Sequence, residues 1–256
     1  MLHAQPIVDL RTRGTVQHEL LLRMVDPTGV IIPPGAFLPV VERYALMLEV
    51  DRWVIKQATR LAGEGCPVQM NVSARSVSDP DVLDQIERCI GEHDVAPGTI
   101  VFEITETAIL EDECAALAFA ERVRALGCKL ALDDFGTGYG TLTYLKRMPV
   151  DYLKLDIEFV SDLLSNDASR HVVQAVVSLA RDFGSQTVAE GVEDADTLAL
   201  LGELGVDQAQ GFHLARPAPF AQRPGDGGDP RRRRAARQGD RARAKRPATR
   251  VGGGVA

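Results

Sequence analysis

Asp133 and Asp134 stand side by side at the end of the apolar run Lys129-Leu-Ala-Leu, and the glycine-rich stretch Phe135-Gly-Thr-Gly-Tyr-Gly140 follows at once. Two neighbouring carboxylates repel each other unless a cation lies between them. A hard metal ion held at the C-terminal end of a strand is the economical explanation, with the glycines giving backbone freedom to a loop beside it. The plainer alternative is an Asp-Asp helix cap after a strand.

Other apolar runs end the same way. In chain order they deliver Glu19 with Arg23, Asn71, Glu103 with Glu106, Lys154 with Asp156, Glu190 with Glu193, and Gln210. Singly, each has a dull explanation: Glu19 as a strand-surface charge, Asn71 as a turn former, Gln210 as a partner for backbone groups. Lys154 sits between Leu153 and Leu155 and so points to one side of a nearly buried strand. Together they form a rim whose acids would repel one another strongly without cations.

Oxygen ligands without His or Cys select Mg²⁺ or Mn²⁺. Two such ions about 3.5–4 Å apart share a bridging carboxylate and a bridging water in metal-assisted hydrolysis of phosphodiesters. Asp133 and Asp134 suit the bridging and second-ion positions. Lys154 suits orientation and deprotonation of the attacking water, and Arg23 suits a phosphate oxygen. His3, His18, His93, His171 and His213 show no metal-ligand spacing.

The elements that must hold these groups follow from hydrophobic periodicity. Strands are expected at Ala4–Leu10, Val16–Met24, Val68–Val72, Ile100–Thr105, Lys129–Asp133, Tyr152–Leu155, Gln186–Ala189 and Gln208–Phe212. Helices are expected at Pro34–Val41, Met47–Gly63, Asp81–His93, Glu111–Leu126, Asn166–Phe183 and Asp194–Leu204. Alternation of this kind predicts an α/β protein, a TIM-like (β/α)8 barrel. Arg11–Thr15 is too short for a helical crossover, so the first two strands should pair antiparallel, with the first strand reversed. An open doubly wound sheet is the alternative, although no G-x-G-x-x-G follows the first strand. Barrels of this class place their chemistry at the C-terminal ends of the strands, where the polar residues gather.

Composition narrows the function. The chain has 256 residues, 45% hydrophobic and 25% charged. No stretch is apolar and long enough for a membrane span, and no secretory leader precedes the first strand, so the expected compartment is the cytoplasm. Four cysteines without C-x-x-C spacing are expected to be reduced thiols. The net charge of −7 conceals an asymmetry: residues 221–256 carry eleven Lys/Arg against three Asp/Glu, leaving residues 1–220 at −15. A body so acidic is a poor surface for a nucleic-acid polymer. The expected organisation is a globular domain over 1–219 and a basic tail over 220–256, either disordered or non-native, with a nucleic-acid-binding arm as the alternative.

With these residues in view, the chain resembles the EAL-domain phosphodiesterases of bacterial cyclic di-GMP signalling. The resemblance rests on Gln5-Pro-Ile-Val-Asp-Leu, Glu19-Leu-Leu-Leu-Arg23, Asn71-Val-Ser, Phe102-Glu-Ile-Thr-Glu106, Asp133-Asp-Phe-Gly-Thr-Gly138, Lys154-Leu-Asp156, Ala189-Glu-Gly-Val-Glu193 and Gln210-Gly-Phe. They run in family order over roughly residues 4–217. The resemblance implies a barrel with a reversed first strand that hydrolyses cyclic di-GMP to linear pGpG with two ions, Mg²⁺ or Mn²⁺. Glu19, Asn71, Glu103 and Asp133 would bind the first ion, and Asp133 and Asp134 the second. Glu190 would support the metal-water site, while Lys154 and Gln210 position the attacking water. Gln5, Leu21, Arg23 and Asp156 would contact substrate. Glu106 would brace the loop Phe135–Leu142, which in the family couples metal binding to homodimerisation.

Two sequence departures stand out: Leu20 where the family signature usually has alanine, and Tyr139-Gly-Thr141-Leu where it has Tyr-Ser-Ser-Leu. The helices that usually precede the first strand and follow the last are also expected to be missing. The chain is thus expected to be a piece of a longer sensor protein, one carrying a sensory or GGDEF-type domain, or a product altered at its 3′ end. The functional alternative to the enzyme is a non-catalytic receptor for the same dinucleotide.

Overall fold

In the computed structural model, residues 1–135 and 145–220 are described. The chain opens with β1 (Leu2–Asp9) and β2 (Thr15–Leu22), then a small hairpin of β3 (Met24–Val25) and β4 (Ile31–Ile32). Helices α1 (Pro34–Arg43) and α2 (Met47–Gly63) lead to β5 (Val68–Asn71), α3 (Ala74–Val77) and α4 (Pro80–His93). Next come β6 (Ile100–Thr105), α5 (Glu106–Glu111), α6 (Glu113–Ala125) and β7 (Lys129–Phe135). After the undescribed segment follow β8 (Tyr152–Leu155), α7 (Ile157–Ser161), α8 (Asp167–Phe183), β9 (Gln186–Ala189), α9 (Ala195–Leu204), β10 (Gln208–Ala209) and β11 (Ala218–Pro219).

Eight strands close on themselves in the order β1-β2-β5-β6-β7-β8-β9-β10, with β10 returning to β1. β1 is antiparallel to both neighbours, and the other contacts around the barrel are parallel. The fold is therefore the expected barrel with a reversed first strand, and closure through β1 and β10 excludes the open sheet. The reversal follows from the short Asp9–Gly14 turn, closed by Asp9 N–H donating to Gly14 O at 3.0 Å and Thr12 N–H to Asp9 Oδ1 at 2.6 Å.

Strand alternation separates two cores. Phe102 meets Phe119 of α6 edge-on with ring centroids 5.8 Å apart, so that face of β6 packs under the helices. Val101 and Glu103 must then point into the barrel. Inside, Ile7, Val101, Ala131, Tyr152 and Val188 make a buried apolar cluster. Gln17, Gln69 and Gln208, also buried, occupy inward positions on the remaining strands. Leu20 is buried on the face of β2 opposite Glu19, so the departure from the usual alanine falls on the outer, helix-packed side.

Most expected elements appear within a few residues of their predicted ends. The helix expected over Glu111–Leu126 is α6, whose start Asp112 caps by accepting from Ala115 N–H at 2.9 Å; the short α5 just before it, capped by Thr105 accepting from Ala108 N–H at 3.2 Å, was not anticipated. Asp112 thus ends one helix and starts the next. The last strand stops at Ala209 rather than Phe212 because the chain turns at Gly211. The hairpin β3–β4 and the short α3, α7 and β11 were not anticipated; each is too short to show a period. None of the four cysteines is in a disulfide. Buried Cys128 is pushed up to about 12 by its surroundings, so it remains a protonated core residue.

Candidate active site

Two residues beyond the inner floor, each strand presents one polar group on the same inward face. Val101 is followed by Glu103, Ala131 by Asp133, Tyr152 by Lys154, Val188 by Glu190, Gln17 by Glu19, Gln69 by Asn71 and Gln208 by Gln210. On the reversed β1 the same step runs backwards, from Ile7 to Gln5, and Gln5 lies directly opposite Glu19. Eight strands thus supply eight polar groups in one layer above an apolar and amide floor.

Lys154 is the hub. It is 1% exposed and pairs with Glu103, Asp133 and Glu190, its Nζ lying 3.2 Å from Asp133 Oδ1. Ligand atoms of those three carboxylates all lie within 4.8 Å of one another. Around them Glu19 accepts from Asn71 Nδ2 at 3.1 Å and from Gln210 Nε2 at 2.6 Å. Gln210 Nε2 also donates to Gln5 Oε1 at 2.9 Å, and Gln5 Nε2 to Ala215 O at 3.0 Å. A continuous network therefore runs from β1 through β2 and β5 to the loop after β10.

One lysine does not neutralise this layer. Asp133 is pushed up to about 9 by burial first, then by the nearby charges of Glu190, Asp134 and Glu19. Glu190 is also raised, by burial against the opposing pull of Lys154. Asp133 Oδ1 and Glu103 Oε1 are buried and accept no well-aligned hydrogen bond. A buried acidic oxygen without an aligned donor is costly, and a hard cation relieves that cost. The donor set of carboxylates with one amide, lacking His and Cys, fits Mg²⁺ or Mn²⁺.

Asp134 faces a second group. Its φ of 55° is left-handed, and the β7–β8 register shifts between Leu132 and Phe135. This bulge lets adjacent residues point to different places, where a regular strand would send one aspartate into the helical layer. Asp134 is raised by burial, then by the charge and hydrogen bonding of Asp156 and by the charge of Glu106. Both aspartates lie within β7, so neither is a helix cap. Asp156 caps α7 by accepting from Glu158 N–H at 2.6 Å, and Glu106 opens α5, buried.

The other expected residues divide. Leu21, half-buried, lies two residues beyond Glu19 on β2, on the same strand face. Arg23 follows β2 and donates from Nη1 to Leu22 O at 2.7 Å; it makes no ion pair among the described residues. Glu193 is exposed, three residues beyond Glu190. The expected loop Phe135–Leu142 lies outside the described residues after Phe135, as does the tail beyond Phe220.

Two contributors escaped the sequence reading. Gln69, fully buried, donates from Nε2 to Glu103 Oε2 at 2.9 Å. Its signal was position: two residues before Asn71, on the same face of the same strand. Asp51 of α2 accepts from Ser73 N–H at 3.0 Å, Ser73 Oγ at 2.6 Å and Ser76 Oγ at 2.7 Å, pinning the turn just after Asn71. Nothing local in α2 announces that long-range contact.

Glycines let two site residues reach the rim. Gly191, after Glu190, has φ +67°, and a Cβ there would lie 2.3 Å from Ile157 Cγ1. A Cβ on Gly211, after Gln210, would lie 2.1 Å from Val192 O and 2.2 Å from Val192 N. Backbone atoms cannot rotate aside, so Gly211→Ala is expected to cost about 3 kcal/mol or more and to displace Gln210 from Glu19. Chemical denaturation of the variant checks this; an unchanged midpoint would show that the turn relaxes freely.

The chain is similar to known proteins in sequence and fold. Residues 1–217 match the family profile described as EAL domain. The chain is 34% identical over 229 residues to the bifunctional diguanylate cyclase/cyclic di-GMP phosphodiesterase MucR of Pseudomonas aeruginosa, covering 87% of this chain and 33% of MucR. It is 34% identical over 227 residues to the cyclic di-GMP phosphodiesterase NbdA of the same organism, covering 86% of this chain and 29% of NbdA. The chain thus spans about a third of the length of these curated relatives. Among solved structures, the MucR phosphodiesterase in complex with cyclic di-GMP superposes with a TM-score of 0.81 at 34% identity, covering 86% of this chain and 92% of that one. The FimX EAL domain of P. aeruginosa bound to cyclic di-GMP gives 0.79 at 27% identity, covering 85% and 90%. With a matched profile over nearly all of the described residues, and a barrel whose rim carries the expected groups, the chain belongs to the EAL-domain family.

Proposed function

We propose that this domain is a metal-dependent phosphodiesterase that hydrolyses cyclic di-GMP to linear pGpG. The observation that carries the reading is the layer of inward groups, in which Glu103, Asp133 and Glu190 converge around Lys154 while Glu19, Asn71, Gln210 and Gln5 form a bonded arc beside them. No position of this arrangement is filled by an apolar residue, as a binding-only site could tolerate.

Glu19, Asn71, Glu103 and Asp133 would hold one Mg²⁺ or Mn²⁺, and Asp133 with Asp134 a second. Bound there, the ions supply Lewis acidity and lower the pKa of water. The chain's own groups do the rest. Lys154 holds the attacking water and takes part in its deprotonation, with Glu190 as its carboxylate partner and Gln210 as a second orienting group. Arg23 places its guanidinium against a phosphate oxygen. Gln5, Leu21 and Asp156 contact the substrate, and Glu106 braces the loop that follows Phe135. The water oxygen bonds to phosphorus, one P–O3′ bond breaks, and a proton ends on the departing 3′ oxygen. The result is one linear dinucleotide with a 5′ phosphate.

The same reading includes a globular domain over 1–219 with a basic tail over 220–256, a cytoplasmic location, a homodimer formed through the 135–142 region, and a sensory or GGDEF-type domain in a longer parent protein. No helix among the described residues is long and apolar enough to cross a membrane.

The test is hydrolysis of cyclic di-GMP by the purified chain with Mg²⁺ or Mn²⁺, resolved by chromatography, beside Glu19→Ala. Metal-dependent pGpG formation that falls at least about 100-fold in the variant is expected. Substrate binding by folded protein without turnover would instead make the domain a receptor. Turnover unaffected by Glu19→Ala would remove Glu19 from the ligand set.

A further inference from the structure

Glu103 is fully buried, and the side chains that fix it decide which way its carboxylate faces. Oε1 is turned to Lys154, and Oε2 accepts from Gln69 Nε2 at 2.9 Å. Gln69 is itself fully buried, and its own Oε1 receives no hydrogen bond among the described residues. Exchanging its amide oxygen and nitrogen would set a lone pair against the carboxylate, so the donor must face Glu103.

A buried amide with half its capacity unused is destabilising. Its counterpart in the floor, Gln17, instead donates to Gln208 Oε1 at 3.4 Å and Gln208 to Gln186 Oε1 at 3.3 Å, an amide-to-amide arrangement that touches no acid. Gln69 alone among the three inward floor glutamines reaches from the floor into the acidic layer.

We infer that Gln69 is a positioning residue of the acidic cluster: its amide locks the Glu103 carboxylate so that Oε1 stays turned toward Lys154, Asp133 and Glu190, and thereby sets the affinity of the cluster for a divalent cation. The inference rests on the cation-site reading above and adds to it a residue that no ligand assignment includes. Partners of this kind orient a ligand without touching the ion, and their loss weakens metal binding about 10–100-fold. Gln69→Met keeps the length of the side chain and removes the donor.

The test is Mn²⁺ binding to the full chain, measured by titration calorimetry for the unsubstituted protein, Gln69→Met and Gln17→Met. Affinity should fall about 10–100-fold in Gln69→Met and stay within about twofold in Gln17→Met, although both lose buried amide contacts. Equal affinities in all three proteins, or an equal loss in both variants, would overturn the assignment by showing that Gln69 is only part of the packing. Should Gln69→Met not fold, the side-chain amide resonance of Gln69 in the unsubstituted protein decides. A shift on Mg²⁺ titration supports the coupling, and a resonance that stays in place refutes it. Absence of Mn²⁺ binding by the unsubstituted chain would instead bring down the cation-site reading, and this inference with it.

Discussion

Replacing Lys154 by methionine is expected to destabilise the cation-free protein by about 3–5 kcal/mol and to cut turnover of cyclic di-GMP at least about 100-fold. Among the described residues Lys154 is the only positive side chain in the inward layer; it is 1% exposed and paired with Glu103, Asp133 and Glu190. Methionine fills much of the same space but leaves three carboxylates facing one another. Some will take up protons, which limits the loss of stability but spoils the site for a cation. Excess Mn²⁺ should recover part of the stability by supplying charge, without restoring turnover, because the ammonium group proposed to handle the water is gone. Thermal unfolding in chelator and in Mn²⁺, beside the hydrolysis assay, reads both effects. A variant as stable as the parent in chelator would show that Lys154 contributes no net neutralisation, and turnover near normal would end its assigned role in activating water.

The stability of the cation-free protein should fall as pH rises from about 5 to about 9, and added Mg²⁺ should remove most of that fall. Asp133 carries the argument. Its carboxyl is pushed up to about 9, above the ordinary value of 3.8, by burial and by Glu190, Asp134 and Glu19. Between those values the folded chain keeps a proton that the unfolded chain has released, so each step up in pH favours unfolding. The contribution is fully present below the ordinary carboxylate range and is lost as pH climbs through the folded value. Asp134 and Glu190 are raised too and act in the same direction. A cation replaces the proton, so the gap in melting temperature between Mg²⁺ and chelator should widen with pH. Melting curves in chelator that do not move over this range would mean that the carboxylates are not strained by one another as the geometry indicates.

Local sequence was most informative where each residue's environment is made by its own strand. Glu103 and Lys154 each sit between apolar neighbours, Asp133 ends the apolar run Leu130–Leu132, and strand alternation alone puts the three on one face. The antiparallel start was readable because a turn as short as Arg11–Thr15 cannot carry a crossover. The start of α6 at the Asp112 cap was readable within two residues, whereas the six-residue α5 directly before it was too short to show a period. The hairpin β3–β4 is held by Asp26, whose Oδ1 accepts from Thr28 N–H, Thr28 Oγ1 and Val30 N–H, too local a device for periodicity to detect.

Residue types and their spacing by themselves determined alternating strands and helices with an antiparallel start, strand ends that carry acids, amides and one lysine, and a preference for hard cations. Those features depend only on periodicity within a segment, on turn length and on the chemistry of the donor atoms. Tertiary structure decided which groups meet. Closure of β10 onto β1 brought Gln210 to Glu19 and Gln5 across some two hundred residues of chain. The bulge at Asp134 sent two adjacent aspartates to different neighbours. Packing of α2 brought Asp51 to the turn after Asn71, and the barrel floor brought Gln69 to Glu103. Such pairings are set by strand order, stagger and helix packing, and these are properties of the closed barrel rather than of any one segment.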